Sequence, residues 1–198
     1  MAPPITVSPP FRTARLEDAA LLAQCVNYAG DGMPLYLWSK SAGDGESGWD
    51  VGVRRAQRTE GAFSYTNAVV IERDGAAAGC LIGYALASTP APIGPDMPAM
   101  FRPLQELENL APDTWYINVL AVAPPHRGAG LGGRMLALAE NFARALGLRG
   151  TSLIVSDGNP GALRLYLRSG YGEAARRPIV KEDWRHDGDA WLLLTKPV

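Results

Sequence analysis

The segment APPHRGAGLGGRML, residues 123–136, places four glycines within six positions directly before a helix-forming run. Each glycine costs up to about 1 kcal/mol in regular structure, and a tight turn needs only one or two of them. The excess therefore predicts a ligand that comes close to the backbone. Unpaired N–H groups at a helix N-terminus, with Arg127 at the rim, favour a bulky anion such as a diphosphate.

Regular elements flank this glycine loop. The run TWYINVLAVA (114–123) is typical of a strand buried on both faces, and so is TSLIVSD (151–157). The helix between them is predicted over 132–146 and ends at Gly147. Its apolar stripe is formed by Leu131, Met135, Leu138, Phe142 and Leu146. A strand, a helix and a strand in this order favour one parallel pair and a mixed α/β fold.

The C-terminal part continues this pattern. In NPGALRLYLRSGY, Asn159 suits a helix N-cap, the following proline suits the first helical position, and Gly170 suits the helix end. Two further strands are predicted around 171–181 and 189–196.

The N-terminal half is less regular. Residues 1–10 are rich in proline and predict a flexible arm, with one domain over 11–198. After a first strand, a helix is predicted to end at Gly30. Its buried face is predicted to comprise Leu16, Ala19, Ala20, Ala23 and Val26. Asp74-Gly75 between two apolar runs predicts a β-hairpin.

Two irregular segments interrupt this order. Residues 30–50 are rich in glycine, aspartate and serine and are interpreted as a loop, with a short helix over 50–59. Residues 89–112 form a long, proline-rich connection that is helical around 103–110. Connections of this length inside a domain are usually functional.

The composition narrows the class of protein. A chain of 198 residues with 47% hydrophobic residues and a net charge of -1 predicts a globular domain without affinity for nucleic acid. Cys25 and Cys80 have no metal-binding spacing and favour a reducing, cytoplasmic location without disulfides or metal. The start MAPPITVSPP resembles no signal peptide, and no run has the length and apolarity of a membrane span.

Other interpretations of the glycine loop are weaker. Gly128, Gly130 and Gly133 satisfy the dinucleotide pattern G-x-G-x-x-G, and Asp157 lies downstream. In that motif the first glycine follows the strand almost at once, whereas APPHR intervenes here. A Walker loop is excluded, because no Lys-Ser/Thr pair follows the glycines. A plain turn explains one or two glycines and leaves the others unexplained.

The loop resembles the signature of the GNAT superfamily of acyl-CoA-dependent N-acyltransferases, R/Q-x-x-G-x-G/A after an apolar strand. Arg127, Gly130 and Gly132 occupy its named positions. NPGALRLYLRSGYG resembles a second family motif, N-x-x-A-x-x-L-Y-x-x-x-G-F/Y. Its positions are occupied by Asn159, Ala162, Leu165, Tyr166, Gly170 and Tyr171. The resemblance covers residues 115–172.

This resemblance implies a fold and a cosubstrate. The fold is a mixed, mostly antiparallel central sheet with one splayed parallel strand pair and helices on both faces. The cosubstrate is acetyl-CoA. Its pantetheine arm would lie along Leu120, Ala121 and Val122, with Asn159 as a further contact. Its diphosphate would be bound by Arg127, Gly128, Ala129, Gly130, Leu131, Gly132 and Gly133.

The resemblance also implies the reaction, transfer of the acetyl group to a primary amine of a small molecule, peptide or protein. Tyr166 occupies the position of the acid that returns a proton to the CoA thiolate. Asn118 stands on the strand where many members carry a carboxylate, and it is interpreted as orienting water or the acceptor. The base stays unassigned, with Glu72 and Asp113 as remote candidates. The resemblance is also compatible with a homodimer.

The two irregular segments are predicted to line the acceptor site. Tyr36 and Trp38 in the first, and Phe101 in the second, are predicted to line it. The alternative is that these side chains only pack over the core. Two other functions stay open, a CoA-binding module without turnover and a dinucleotide-binding oxidoreductase.

Overall fold

The structure is a computed structural model that describes residues 7–198. It has a mixed α/β fold that contains both motifs. Over these residues it has seven strands, β1 (Phe11–Thr13), β2 (Ala68–Arg73), β3 (Ala76–Ala85), β4 (Thr114–Val122), β5 (Gly150–Ser156), β6 (Gly172–Pro178) and β7 (Ala190–Pro197). Its α-helices are α1 (Ala19–Ala29), α2 (Met33–Lys40), α3 (Gly48–Ala56), α4 (Arg102–Glu108), α5 (Leu131–Ala145) and α6 (Pro160–Arg168).

The strands form one sheet in the order β1-β2-β3-β4-β5-β7-β6. It is mostly antiparallel, with one parallel pair, β4 and β5. This confirms the predicted fold class and the parallel pair on either side of α5. The predicted order of elements is also confirmed, with one helix, α2, that the sequence analysis missed.

The described chain divides into two compact units. The first comprises the residues up to Gly83 together with Asn118–Met135, and the second comprises Tyr84–Ile117 and Leu136–Val198. The division falls inside β3, β4 and α5, so a single domain over 11–198 stays a prediction. Of the predicted arm, residues 1–6 lie outside the described residues.

The core of the first unit lies beneath α1. Its buried residues include Leu22 and Cys25 from α1, Val70 from β2 and Cys80 from β3. The predicted helix begins later than expected, because residues 16–18 form a 3-10 turn. Leu16 is therefore exposed, and so is Ala20. The buried face of α1 consists of Ala19, Leu22, Ala23 and Cys25.

The predicted hairpin joins β2 to β3. Asp74 and Gly75 have φ values of 53° and 77°, as the two central residues of a type I′ turn require. Arg73 pairs with Ala76 directly across the turn. The local sequence therefore determined this connection.

The loop predicted over 30–50 is wrong in part, because it contains α2. Gly32, with a φ of 83°, precedes this helix, and Pro34 lies in its first turn. The helix is short, and its inward residues Met33 and Trp38 are buried. Tertiary burial stabilises a segment whose composition favours a loop.

The second unit is built around β5. On one edge, Thr114–Ile117 run parallel to Gly150–Leu153, and the register of this pair ends there. On the other edge, β5 pairs antiparallel with β7 along its whole length. Helix α4 packs against β5, β6 and β7.

Candidate active site

The predicted anion-binding loop joins β4 to α5 in the first unit. Gly128 and Gly130 have φ values of 77° and 74°, in the left-handed region that favours glycine. Gly133 has no such φ, and a Cβ atom added to it would meet nothing within 4 Å. Backbone conformation therefore explains Gly128 and Gly130, whereas Gly133 leaves open space at the first turn of α5.

Arg127 lies back over the end of β4. Its Nε donates a hydrogen bond of 3.1 Å to the carbonyl of Val122. Its guanidinium carbon lies 5.5 Å from the ring centroid of Tyr28. The side chain is exposed on the glycine loop, so its charge is available at the start of α5.

The C-terminal half of β4 directs its backbone groups to two edges. The carbonyl of Ala121 occupies the space where a side chain at Gly79 of β3 would lie. Because successive residues of a strand point their backbone groups to alternate edges, those of Leu120 and Val122 point away from β3. Leu120 and Val122 thus offer polar backbone groups on that edge, whereas those of Ala121 face β3.

In the second unit, α6 positions Tyr166. The helix starts after Asn159, whose side-chain oxygen accepts a hydrogen bond of 3.1 Å from the N–H of Ala162. Tyr166 is 7% exposed, and its ring centroid lies 6.1 Å from that of Tyr171. Burial raises the pKa of Tyr166 to about 12, so its hydroxyl keeps its proton at neutral pH.

The second unit also contains a half-buried carboxylate that the sequence analysis did not single out. Glu108 is the last residue of α4 and is half-buried. The ring centroid of Tyr84 lies 5.6 Å from that of Tyr116. Burial raises the pKa of Glu108 to about 7.

The sequence model of the acetyltransferase (GNAT) family matches residues 35–171 of the chain. The protein belongs to this family. The match includes both the glycine loop and the second motif around Tyr166. The family predicted from these two motifs is therefore confirmed. None of the curated proteins compared matches the chain.

Solved structures with the same fold are acetyltransferases. One acetyltransferase is 24% identical, with a TM-score of 0.64 over 95% of this chain and 98% of that chain. An N-acetyltransferase from Staphylococcus aureus Mu50 is 19% identical, with a TM-score of 0.65 over 94% and 99%. Ard1 from Thermoplasma volcanium is 15% identical, with a TM-score of 0.59 over 95% and 96%. These similarities establish the GNAT fold.

The two carboxylates predicted as candidate remote bases, Glu72 and Asp113, lie in an ion pair and in a turn. Glu72 pairs with the guanidinium of Arg12, with an O–N distance of 2.7 Å. Asp113 lies in a turn with a φ of 57°. Asn118 is half-buried on β4, and its role stays a prediction. The sequence signal that points to Glu108 is its position beside the buried Leu107 in an amphipathic helix.

The three predicted acceptor residues have different surroundings. Trp38 is 3% exposed and stacks on Phe63, with 5.8 Å between ring centroids. It is a core side chain of the first unit, in agreement with the packing alternative. Tyr36 is half-buried, with the ammonium of Lys40 4.5 Å from its ring centroid. Phe101 is 37% exposed.

Residues 7–198 contain neither a metal-binding cluster nor a membrane-spanning helix. In this range no three or more histidine, cysteine, aspartate or glutamate side chains are placed to hold a metal ion. No helix there combines the length and apolarity needed to span a membrane. Cys25 and Cys80 are free and buried.

Proposed function

We propose that this protein transfers the acetyl group of acetyl-CoA to a primary amine. The observation that carries the proposal is the glycine loop of a GNAT-family chain, with Gly128 and Gly130 in left-handed conformation at the start of α5. The acceptor is a small molecule, a peptide or a protein. Two free, buried cysteines fit a reducing compartment such as the cytoplasm.

The loop is suited to the diphosphate of CoA. Backbone N–H groups at the start of a 15-residue helix carry the positive end of the helix dipole. Arg127 adds a charge there, and the open space at Gly133 permits close approach. The outward backbone groups of Leu120 and Val122 would hydrogen-bond the amides of the pantetheine arm.

The chemistry requires an uncharged amine and a stabilised leaving group. The amine attacks the thioester carbonyl, the C–N bond forms, and the C–S bond breaks with its electron pair on sulfur. A backbone N–H on β4 would stabilise the oxyanion. Tyr166 would donate its hydroxyl proton to the departing thiolate.

Titration calorimetry with CoA tests the binding half of this proposal. Gly133→Leu places a bulky side chain in the open space, so we expect CoA affinity to fall at least tenfold while the fold is retained. The matched control is Gly43→Leu in the same unit, where a Cβ atom also meets nothing within 4 Å. Equal affinity of both variants and the wild type would refute binding at this loop.

A thiol-release assay with acetyl-CoA and a panel of amines tests the reaction. We expect amine-dependent release of CoA by the wild type. CoA binding without release from any amine would indicate a binding module instead. Binding of NAD(H) in place of CoA in a thermal-shift screen would indicate the oxidoreductase.

A further inference from the structure

The aromatic ring of Tyr28 faces the guanidinium of Arg127. Tyr28 is the second-last residue of α1, and Arg127 lies in the glycine loop before α5. The guanidinium carbon is 5.5 Å from the ring centroid, within the range of a cation–π interaction. Both residues belong to the first compact unit. The fold thus brings an aromatic ring from α1 to the arginine of the proposed diphosphate loop.

The end of α1 that carries Tyr28 is held by hydrogen bonds from the segment that follows it. The side-chain oxygen of Asn27 accepts a bond of 3.0 Å from the N–H of Leu35 in α2. The carbonyl of Asn27 accepts one of 3.0 Å from the N–H of Gly32. These bonds fix the backbone directly before Tyr28. A tyrosine has only two side-chain torsions, so it is ordered at little cost in entropy.

Arg127 keeps most of its hydrogen-bond donors for another group. A guanidinium has five N–H donors in one plane, and only the Nε donor is used, on the carbonyl of Val122 at 3.1 Å. Within residues 7–198, Arg127 forms no ion pair with a carboxylate. The side chain is exposed, so its remaining donors can bind an anion.

The two contacts of Arg127 are compatible with bound CoA. The ring of Tyr28 attracts the cation through its quadrupole and takes up no N–H donor, whereas phosphate oxygens accept bonds from those donors. The carbonyl of Val122 has two lone pairs. Arg127 occupies one of them and leaves the other for an amide of the pantetheine arm.

We propose that Tyr28 is a positioning residue for CoA: its ring and the Val122 carbonyl hold the Arg127 guanidinium in place to bind the diphosphate. This inference rests on the proposed binding of CoA at the glycine loop. Immobilising one flexible side chain lowers affinity by a factor of about two to ten. An arginine held by two contacts has lost this freedom before the ligand arrives. Tyr28 therefore acts on affinity for the cosubstrate and not on the chemical step.

Titration calorimetry with CoA tests the inference through Tyr28→Leu and Tyr28→Phe. Leucine favours a helix at least as well as tyrosine but has no aromatic ring, so we expect the Kd for CoA to rise about three- to tenfold. Phenylalanine keeps the ring, and Tyr28→Phe should bind CoA within about twofold of the wild type. Wild-type affinity in Tyr28→Leu would overturn the inference. Equal losses in both variants would assign the effect to the hydroxyl and overturn it too.

Trp49→Leu is the matched control. Trp49 is 39% exposed, against 37% for Tyr28, and it also lies in the first unit. Its ring lies 6.3 Å from that of Trp38 instead of facing a cation. We expect Trp49→Leu to bind CoA as the wild type does. A loss as large as that in Tyr28→Leu would trace the effect to general loosening of the unit and contradict the positioning role.

A double-mutant cycle shows whether Tyr28 acts through Arg127. Arg127→Gln removes the cation and should itself raise the Kd for CoA about tenfold or more. In that background Tyr28→Leu should change the Kd by less than about twofold, because no cation remains to be held. A purely structural role of Tyr28 would weaken binding by the same factor in both backgrounds. Additive losses would therefore refute the inference.

Steady-state kinetics separate this role from one at the acceptor. With the amine that the wild type acetylates fastest, Tyr28→Leu should raise the KM for acetyl-CoA by the factor found for CoA. The kcat and the KM for the amine should stay within about twofold of the wild type. A raised KM for the amine alone would place Tyr28 at the acceptor and overturn the inference.

The outcomes distinguish this inference from the proposed function. If the wild type binds CoA but acetylates no amine, the proposed transfer fails, and calorimetry still decides the role of Tyr28. If the wild type binds no CoA, or Arg127→Gln binds it as tightly as the wild type, the diphosphate site fails and the positioning role with it. If the wild type is active and Tyr28→Leu matches it, the positioning role alone fails.

Discussion

At the scale of the residue, Tyr166 is the group whose role in the GNAT reaction is most directly testable. Its burial and its pKa of about 12 keep the hydroxyl protonated, so it can act as a donor but not as a base at neutral pH. The raised pKa makes complete transfer to a thiolate uphill. We therefore expect the proton to move as the C–S bond breaks, when the sulfur is most basic.

Tyr166→Phe tests this role. We expect kcat to fall about 100-fold to 10,000-fold, as the loss of a general acid does, and the affinity for acetyl-CoA to change by less than threefold. Steady-state kinetics and calorimetry with CoA measure the two effects. Tyr171→Phe is the control, since it removes a hydroxyl that accepts a hydrogen bond from Thr151 and should leave kcat near the wild-type value. A wild-type kcat in Tyr166→Phe would remove it from the mechanism.

At the scale of the element, Asn159 has a structural role in α6 that is separable from its predicted contact with CoA. Its side-chain oxygen satisfies the N–H of Ala162 at the helix start. Asn159→Ala should lower the free energy of unfolding by about 0.5–2 kcal/mol. Urea denaturation measures this loss.

Asn159→Ser separates the two roles, because serine caps a helix about as well as asparagine. We expect this variant to keep wild-type stability. If Asn159 contacts CoA as the family resemblance implies, calorimetry should show weaker CoA binding in Asn159→Ser. Unchanged affinity would restrict Asn159 to capping.

At the scale of the whole molecule, the half-buried Glu108 links stability to pH. Its folded-state pKa of about 7 lies above the ordinary value of 4.5, so between these values the folded state binds more protons than the unfolded state. Stability therefore falls as pH rises from about 4.5 to 7. The difference between these two pKa values corresponds to a free energy of unfolding on the order of 3 kcal/mol.

Glu108→Gln imitates the protonated carboxyl at every pH. We expect this variant to be more stable than the wild type by up to about 3 kcal/mol at pH 8 and by less than about 1 kcal/mol at pH 5. Urea denaturation at both pH values measures the difference, from which groups common to both proteins cancel. Glu106→Gln, which loses an exposed ion pair, should change stability by at most about 1 kcal/mol. A pH-independent difference for Glu108→Gln would contradict the raised pKa.

Much of the fold was predictable because its signals are local. The turn at Asp74-Gly75, the capping residue Asn159 and the stripe from Leu131 to Phe142 each depend on residues a few positions apart. The family signature is local too, since the glycine loop and the segment around Tyr166 are each a continuous stretch of sequence. These patterns determined the element order, the parallel pair and the family.

Only the tertiary structure decided what depends on contacts between distant residues. Helix α2 exists because Trp38 is buried against Phe63 and against Gly52, which has no side chain to block the ring. Glu108 ends α4, and its position beside the buried Leu107 does not show how much water its carboxyl loses. Its pKa follows from the water it loses on folding, a property of the packed molecule rather than of any segment.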